Sequence, residues 1–429
     1  MTEFSPGPVT VHLAPVVVTM TGEPLHDAGV VVTGDRIAAV GTRARLLPPY
    51  AGAKVREWPG VMTPGLVNAH AHLEYGPPFA DLATAGLPFA QWIQELTRRR
   101  RLLSAADWLA SARGSVSELL SSGTTCVADV VTHGAGLVAA ARAALAGISY
   151  VEAVGADDAR WPAERERVDQ VIASAPRGRD IGISPHALYT LSSSAYRSLL
   201  DLARSTGRRS HTHLAETAEE AEYVLRGAGP MAEHWRSLGL EFDLLDGGSG
   251  RSPAAHLDAI GGLGPDVHVA HGVHLDRADR ALLREKGTAV ALCARSNRVL
   301  GAGDPPVAAL LAEVSPIAVG TDSLASSPSL DLLDELAALH RLATSQGAEP
   351  DGLSEQLVAA ATVGGAVAMG LEGAAGVLAP GVRANFAVFD VPVTASPYDA
   401  LVAHGGGRCV LTVVGGRLVH RRSSLRAPA

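Results

Sequence analysis

The chain alternates between two hydrophobic textures. Near its start, "VTVHLAPVVVT" (9–19) and "AGVVVTGDRIAAVG" (28–41) are short β-branched runs, the second turning at "TGDR". Near its end, "GVRANFAVFDV" and "CVLTVVGGRLVH" repeat that texture, again broken by Gly and Asp. Neither group can bury a core alone, so the two ends are expected to pair into one composite β-sandwich, residues 1–61 with 371–429.

Residues 62–370 read as strand, then helix, repeated. The candidate strands are "GLVNAHAH", "GTTCVADV", "GISYVEAV", "DIGISPHA", "RSHTHLAE", "DVHVAHGV", "GTAVALCA" and "IAVGTDS". Most are apolar on both faces until their last residues, as parallel strands covered by helices are. The segments between, such as "SAADWLASARGSVSELLSSG" and "SLDLLDELAALHRLATSQG", have helical periodicity. Eight such pairs over about 300 residues predict an α/β chain with a (β/α)8, TIM-like barrel. A doubly wound open sheet would also alternate. It would more often carry a Gly-rich phosphate loop after its first strand, where this chain has "HAHLE".

Composition narrows the class. Of 429 residues, 47% are hydrophobic and 19% charged, the balance of a compact protein rather than a disordered one. A net charge of −8 carries no general nucleic-acid footprint. The cysteines Cys126, Cys293 and Cys409 are far apart and odd in number. Neither a disulfide framework nor a CxxC zinc site follows from them, and a reducing compartment does. The first residues lack a basic stretch followed by a clean apolar core, and no run approaches ~18 uninterrupted apolar residues. Export and membrane spanning are not expected; the expected location is cytoplasmic.

Polar residues fall at the predicted strand ends: His70, His72, Asp129, His186, His213, His271 and Asp322. In a barrel those ends converge on one mouth. Packing alone does not account for them, since each unpaired polar group in a core costs about 1–3 kcal/mol. His70 and His72 point to the same side of a strand and can reach one ion. An HxH pair alone is common, and His211 with His213 repeats it. The order is more telling: HxH, then HxxE (His213 to Glu216), then "AHGVH" (His271), then "GTDS" (Asp322).

These motifs resemble the amidohydrolase superfamily, specifically its aminohydrolase branch acting on adenine-type bases, with adenosylhomocysteine and aminodeoxyfutalosine deaminases in it. The resemblance runs through "GDRIAAVG", "MTPGLVNAHAHLE", "SPHALYTLS", "HTHLAET", "VAHGVHLD", "ARSNRVLG", "GTDSLAS" and "VVGGRLV". It implies one divalent metal per chain, zinc with iron or manganese as alternatives, bound by His70, His72, His213 and Asp322. Glu216 is then the proton shuttle, and His271 holds and polarises the metal-bound hydroxide. The chemistry asks for such groups, because an aromatic amidine carbon is a poor electrophile and neutral water a poor nucleophile. Asp322 would accept the water's proton, and Glu216 would protonate the ring nitrogen beside the attacked carbon. Binuclear members bridge two metals with a carboxylated lysine at the end of strand four. Here that strand reads "IGISPHALYT", and the only lysines are Lys54 and Lys286. A mononuclear site follows. In resembling deaminases the histidine at this place contacts substrate, so His186 is expected to do so, or else to hydrogen-bond backbone at the barrel mouth.

The seventh strand runs into "LCARSN" instead of "HNPxSN", with Leu292 and Ala294 at the histidine and proline positions and Ser296 and Asn297 kept. "CARSN" is close to the "CPRSN" of aminodeoxyfutalosine deaminases, which puts Arg295 near the mouth or in a helix cap. Adenosylhomocysteine-type members carry an arginine after strand three. Here "SYVEAVGADDAR" has Glu152 in that region, with Arg160 as a partial substitute. Glu74 is a candidate for a ribose hydroxyl or exocyclic amine, or for a salt bridge within the first loop. "LPFAQWIQELTRRRR" resembles the segment that covers the nucleoside, with Phe89 and Trp92 as an apolar lid or as helix packing and Gln91 as a sugar contact. Asn297 and Ser323 complete the expected substrate contacts. The arginines at 98–101 read as a solvated helix end, or as an attraction for an anionic substrate.

The sequence thus predicts hydrolytic removal of the 6-amino group of an adenine nucleoside derivative. Aminodeoxyfutalosine, a menaquinone-pathway intermediate with an aryl carboxylate, is the first choice. Adenosylhomocysteine or adenosine, and another amidine or cyclic amide ring (cytosine, guanine, triazine or imidazolone), are the alternatives. A non-catalytic binding protein on this scaffold is disfavoured by the complete set of ligands and shuttle. The expected partners are a small nucleoside-like substrate and, from the resemblance, a second copy in a homodimer, with no nucleic acid and no membrane.

Overall fold

A computed structural model describes residues 9–87 and 89–422, without the side chains of 89 and 90. At its centre are eight parallel strands: β1 (Leu66–Ala71), β2 (Thr124–Val131), β3 (Ile148–Ala153), β4 (Asp180–Pro185), β5 (Ser210–Leu214), β6 (Val267–His271), β7 (Ala289–Leu292) and β8 (Ile317–Val319). Each pairs with its successor, and each falls on an apolar run that predicted it. Every residue of β1, β2, β3, β5, β6 and β7 is buried, because helices cover the outer face and side chains fill the inner one.

The ring closes just past β8. Backbone N–H groups of Thr321 and Asp322 both donate to the His70 carbonyl, at 3.1 and 3.0 Å. The Asn68 amide donates to the Thr321 hydroxyl at 2.7 Å. These bonds pin the end of β8 to β1 and so bring Asp322 beside His70 and His72, residues far apart in the chain. The helices between strands are bounded by caps. Ser104 and Asp107 form a reciprocal capping box on Ala105–Ser121. Thr217 caps Ala218–Arg226 immediately after Glu216.

Both chain ends meet in a second eight-stranded sheet. Val9–Val17, Leu25–Thr33 and Arg36–Thr42 pair antiparallel in turn, while Lys54–Glu57 and Val61–Pro64 lie parallel to the first of them. Phe386–Phe389 joins Val61–Pro64, followed by Cys409–Val414 and Arg417–Arg421. Alternate side chains serve different clusters: Val11, Leu13 and Val31 pack with Leu46, whereas Ala14, Val30 and Val32 pack with Met62, Phe386 and Val388. Val61–Pro64 passes through Gly65 directly into β1, so this sheet anchors the strand that carries the HxH pair. No helix among the described residues is long and apolar enough to cross a membrane.

The contact between β1 and the end of β8 leaves no room at Gly320. A Cβ there would lie 2.7 Å from the His70 Cβ and 2.9 Å from the Cys293 sulfur. Gly320→Ala should therefore cost about 1–3 kcal/mol of unfolding free energy, the range for overpacking a filled core. Urea denaturation measures this, and an unchanged midpoint would contradict the tight fit.

Candidate active site

The C-terminal ends of the strands open on a cavity of about 510 Å³, whose inner side is formed by His72, His213, Glu216, His271 and Asp322. His70 lies behind them, fully buried. Hydrogen bonds around these rings decide which nitrogen is free. Nδ1 of His211 donates to the His268 carbonyl at 3.0 Å. Nε2 of His211 is left to accept from Nδ1 of His70, at 2.7 Å. His70 therefore presents a bare Nε2, buried and without a hydrogen-bond partner among the described residues. His213 reaches the same state by donating Nδ1–H to the His186 carbonyl at 2.9 Å.

Asp322 is held from behind. The Ser296 and Ser326 hydroxyls both donate to Oδ2, at 2.7 and 2.8 Å. Oδ1 is thereby turned to the histidines, 3.8 Å from Nε2 of both His70 and His72. Nε2 of His72 stands 3.2 Å from Nε2 of His213. Ligands at 2.0–2.1 Å from a tetrahedral ion are about 3.3 Å apart, and these separations bracket that value. Burial holds His70 and His213 well below the ordinary histidine range, so the rings stay neutral, as metal binding requires. His70, His72 and Asp322 bring their ligand atoms within 4.8 Å of one another, as do His70, His213 and His271, and such imidazole and carboxylate donors suit a divalent cation without selecting zinc over iron or manganese.

Strained backbone turns these groups inward. Ala215 (φ +52°), His271 (φ +75°) and Asp322 (φ +60°) occupy the left-handed region that residues other than glycine seldom adopt. Ala215 directly precedes Glu216. The Glu220 carboxylate locks that turn by accepting the N–H groups of Ala215 and Glu216, at 2.9 and 2.7 Å. Oε1 of Glu216 is 3.7 Å from Nε2 of His271. Nδ1 of His271 is paired with Oδ1 of Asn297 at 2.9 Å, which leaves its Nε2 for the cavity. Burial pushes the Glu216 carboxyl above its ordinary range, with the Asp322 charge adding to the effect and His271 opposing it. A carboxyl raised in this way can hold a proton and deliver it.

Comparison with known proteins places this geometry. The model of the Amidohydrolase family matches residues 61–419. The chain belongs to the amidohydrolase family. 5-Methylthioadenosine/S-adenosylhomocysteine deaminase of Syntrophobacter fumaroxidans is 32% identical over 390 residues, which cover 86% of this chain and 81% of the relative. Aminodeoxyfutalosine deaminase of Deinococcus radiodurans is 30% identical over 338 residues, 76% and 79% of the two chains. The solved structure of an adenosine deaminase from Xanthomonas campestris with bound zinc superposes with a TM-score of 0.78 at 23% identity, over 99% of this chain and 96% of that one. This amidohydrolase is an enzyme of a metal-dependent family that hydrolyses carbon–nitrogen bonds other than peptide bonds.

Of the substrate contacts expected in this amidohydrolase, Trp92, Glu152, His186 and Ser323 line the cavity. Nδ1 of His186 meets the Thr190 hydroxyl at 3.1 Å, and its Nε2 lies 4.0 Å from Oε1 of Glu152. Burial alone would push the Glu152 carboxyl up; His186, His72, the Thr132 hydroxyl and Arg100 bring it below its ordinary value. The other expectations need correction. Glu74 is buried outside the cavity, where its carboxylate accepts the N–H groups of Thr132, His133, Ala135 and Gly136 at 2.8–3.2 Å. Gln91 is exposed and off the lining. Arg160 pairs with Asp157 at 2.5 Å, also off the lining. Arg295 turns to Ser329, whose hydroxyl it meets at 3.0 Å. Asn297 touches His271 rather than the cavity, and Asp129 accepts the Leu73 N–H at 3.0 Å instead of facing the mouth. The Phe89 side chain lies outside the described residues. Sequence reasoning missed Tyr75, Tyr189, Trp235 and the wall position of Arg100. It noted His211 only as half of a second HxH, although i, i+2 spacing puts it on the same face as His213.

Beneath the site, Nε2 of His268 donates to the Ala69 carbonyl at 3.1 Å, and burial holds the ring down to about 3. Unfolded histidine titrates near about 6.5. Between these values the unfolded chain binds the extra proton, so the contribution is intact above pH ~6.5 and is lost as pH falls, by about 1.4 kcal/mol per pH unit. His268→Gln, which keeps a donor for Ala69, should flatten the acid loss of unfolding free energy by about that slope. Urea denaturation from pH 6 to 4 tests this; an unaltered slope would refute it.

Proposed function

We propose that this amidohydrolase is a metal-dependent hydrolytic deaminase, exchanging the 6-amino group of an adenine nucleoside derivative for oxygen and releasing ammonia. The observation that carries the reading is Glu216, a buried carboxyl whose proton affinity is raised, 3.7 Å from His271 and beside two overlapping clusters of histidine and aspartate that could hold a metal ion. His70, His72, His213 and Asp322 would hold a divalent cation, which when bound would lower the pKa of water towards ~7 and so supply a nucleophile at neutral pH. The chain's own residues do the rest. Asp322 takes the proton of that water. His271, fixed through Nδ1 by Asn297, orients the attacking oxygen with Nε2. Glu216 gives its proton to the ring nitrogen beside the attacked carbon; the proton taken by Asp322 goes to the amine, which leaves as ammonia, and the hydroxyl proton on the attacked carbon returns to Glu216. Glu152 and His186 meet the substrate from the cavity wall.

Within this class we take aminodeoxyfutalosine as the substrate, supported by the Deinococcus radiodurans relative and by Glu152 in the region where an arginine is expected for adenosylhomocysteine. Arg295 no longer supports it, because the side chain points to Ser329. A second reading, 5-methylthioadenosine or S-adenosylhomocysteine, is favoured by the 32%-identical relative. Zinc is the proposed metal, supported by the ion bound in the Xanthomonas campestris structure.

An ammonia-release screen of metal-loaded protein against these nucleosides, with cytosine, guanine and triazine rings beside them, tests the reading. Turnover of some adenine nucleoside is expected, and turnover of none would remove it. Glu216→Gln should lower kcat by about 10²–10⁴-fold with metal content unchanged. His211→Phe removes the acceptor for His70 Nδ1–H and should weaken metal affinity by about 10–100-fold. Competition with a chelator measures that loss, and an affinity equal to that of the wild type would dismiss the relay.

A further inference from the structure

Helix Phe89–Arg100 forms one wall of the cavity, Gln94 and Arg98 included, and one stripe runs along it. Trp92, Ile93, Leu96, Thr97 and Arg100 recur at three- and four-residue spacing, and all line the wall. The stripe is mainly apolar until its last member. The four arginines that end this segment divide by their partners. Arg98 and Arg99 are neutralised: Glu95 binds them at 2.7 and 2.8 Å, and Asp81 also takes Arg99. Arg100 and Arg101 both line the cavity, and neither has an ion-pair partner among the described residues.

Their position is outward of the metal donors. The Arg100 guanidinium carbon lies 5.6 Å from the centre of the Tyr75 ring, which is itself 5.6 Å from that of His72. The carboxylates on the lining, Glu152, Glu216 and Asp322, belong to strand ends or the loops just past them. The outer half therefore offers two guanidinium groups that no ion pair among the described residues neutralises, with Glu152 in electrostatic reach of Arg100, against apolar walls such as Leu96 and Trp235 in a chain whose net charge is −8.

We infer that this outer half is a subsite for an anionic group, carboxylate or phosphate, carried on the far side of the substrate's sugar from the base. The inference deepens the deaminase reading and rests on it for the orientation of the base. A purine attacked at the metal donors directs its sugar past Glu152 and His186, and a substituent beyond the sugar arrives at Arg100 and Arg101. Guanidinium groups engage either oxyanion through paired N–H donors, whereas a neutral tail gains nothing from them. The two arginines act in specificity. Their loss should therefore appear in Kd and KM for the anionic substrate.

The test compares hypoxanthine nucleosides, which need no turnover to bind, on metal-loaded full-length protein. One carries a neutral 5′-methylthio group, one a 5′-linked benzoate and one a 5′-phosphate, and calorimetry gives each Kd. At least one anionic compound should bind about tenfold or more tightly than the neutral one, and the benzoate and phosphate arms tell which anion is meant. Arg100→Gln and Arg101→Gln should each bring that ratio towards unity, and Arg100→Lys should recover part of it. A wild-type ratio near one, no binding of either anion, or a ratio untouched by both Gln variants would overturn the subsite. Ammonia release with no anion preference would sink the subsite and spare the deaminase reading. An anion preference without ammonia release from any adenine nucleoside would do the reverse.

Discussion

The site depends on one constraint: several imidazole rings must be both neutral and aimed while enclosed in a barrel. A protonated ring has no lone pair to offer, and an ordinary histidine is partly protonated near pH 6.5. Burial removes that option here, and the relay from the His268 carbonyl through His211 settles which nitrogen of His70 is bare. The relay in turn rests on register. His211 lies opposite His268 across β5 and β6, and His70 faces them from β1. A slip of one residue in β5 would turn both His211 and His213 to the helices and dissolve the site.

The same burial sorts the acids. Glu216, raised by its surroundings, is suited to carry a proton, while Glu152, lowered by His186, His72, the Thr132 hydroxyl and Arg100, presents charge to the cavity. Other carboxylates serve the backbone. A barrel mouth is made of loops, and their N–H groups have no strand to pair with. Glu74 gathers four of them and Glu220 two, which stiffens the turns from which Glu216 and the neighbouring wall project. The left-handed Ala215 persists because the Glu220 carboxylate anchors its N–H and that of Glu216.

What could be read from the sequence followed from periodicity. All eight barrel strands lie on apolar runs, and the i, i+2 rule puts His70 and His72 on one side. The strand-end histidines and Asp322 converge because the barrel rule makes strand ends meet. Residues beyond the strands obey no such rule. Glu74, Gln91, Arg160 and Arg295 are chemically suitable for substrate, yet the direction of a loop side chain is set by tertiary partners that composition does not reveal. Glu74 found unpaired N–H groups, Arg160 found Asp157, and Arg295 found Ser329. Asp129 shows that even a strand-end residue can be drawn away, in its case to the Leu73 amide.

The two halves of the cavity therefore obey different geometric rules. Its inner half is fixed by strands, whose alternation and register leave little freedom for the inward-facing histidines and Asp322. Its outer half is fixed by a helix, where a change of one residue rotates the wall by 100° and exchanges an apolar contact for a charge. An arrangement of this kind lets the barrel persist at 23% identity with a TM-score of 0.78. Chemistry is consequently read from the strand ends, and the substrate from the helix and loops above them. The division within the arginine run follows from that helix: Glu95 meets Arg98 and Arg99 at i+3 and i+4, and Arg100 falls one residue beyond its reach, on the stripe that begins at Trp92.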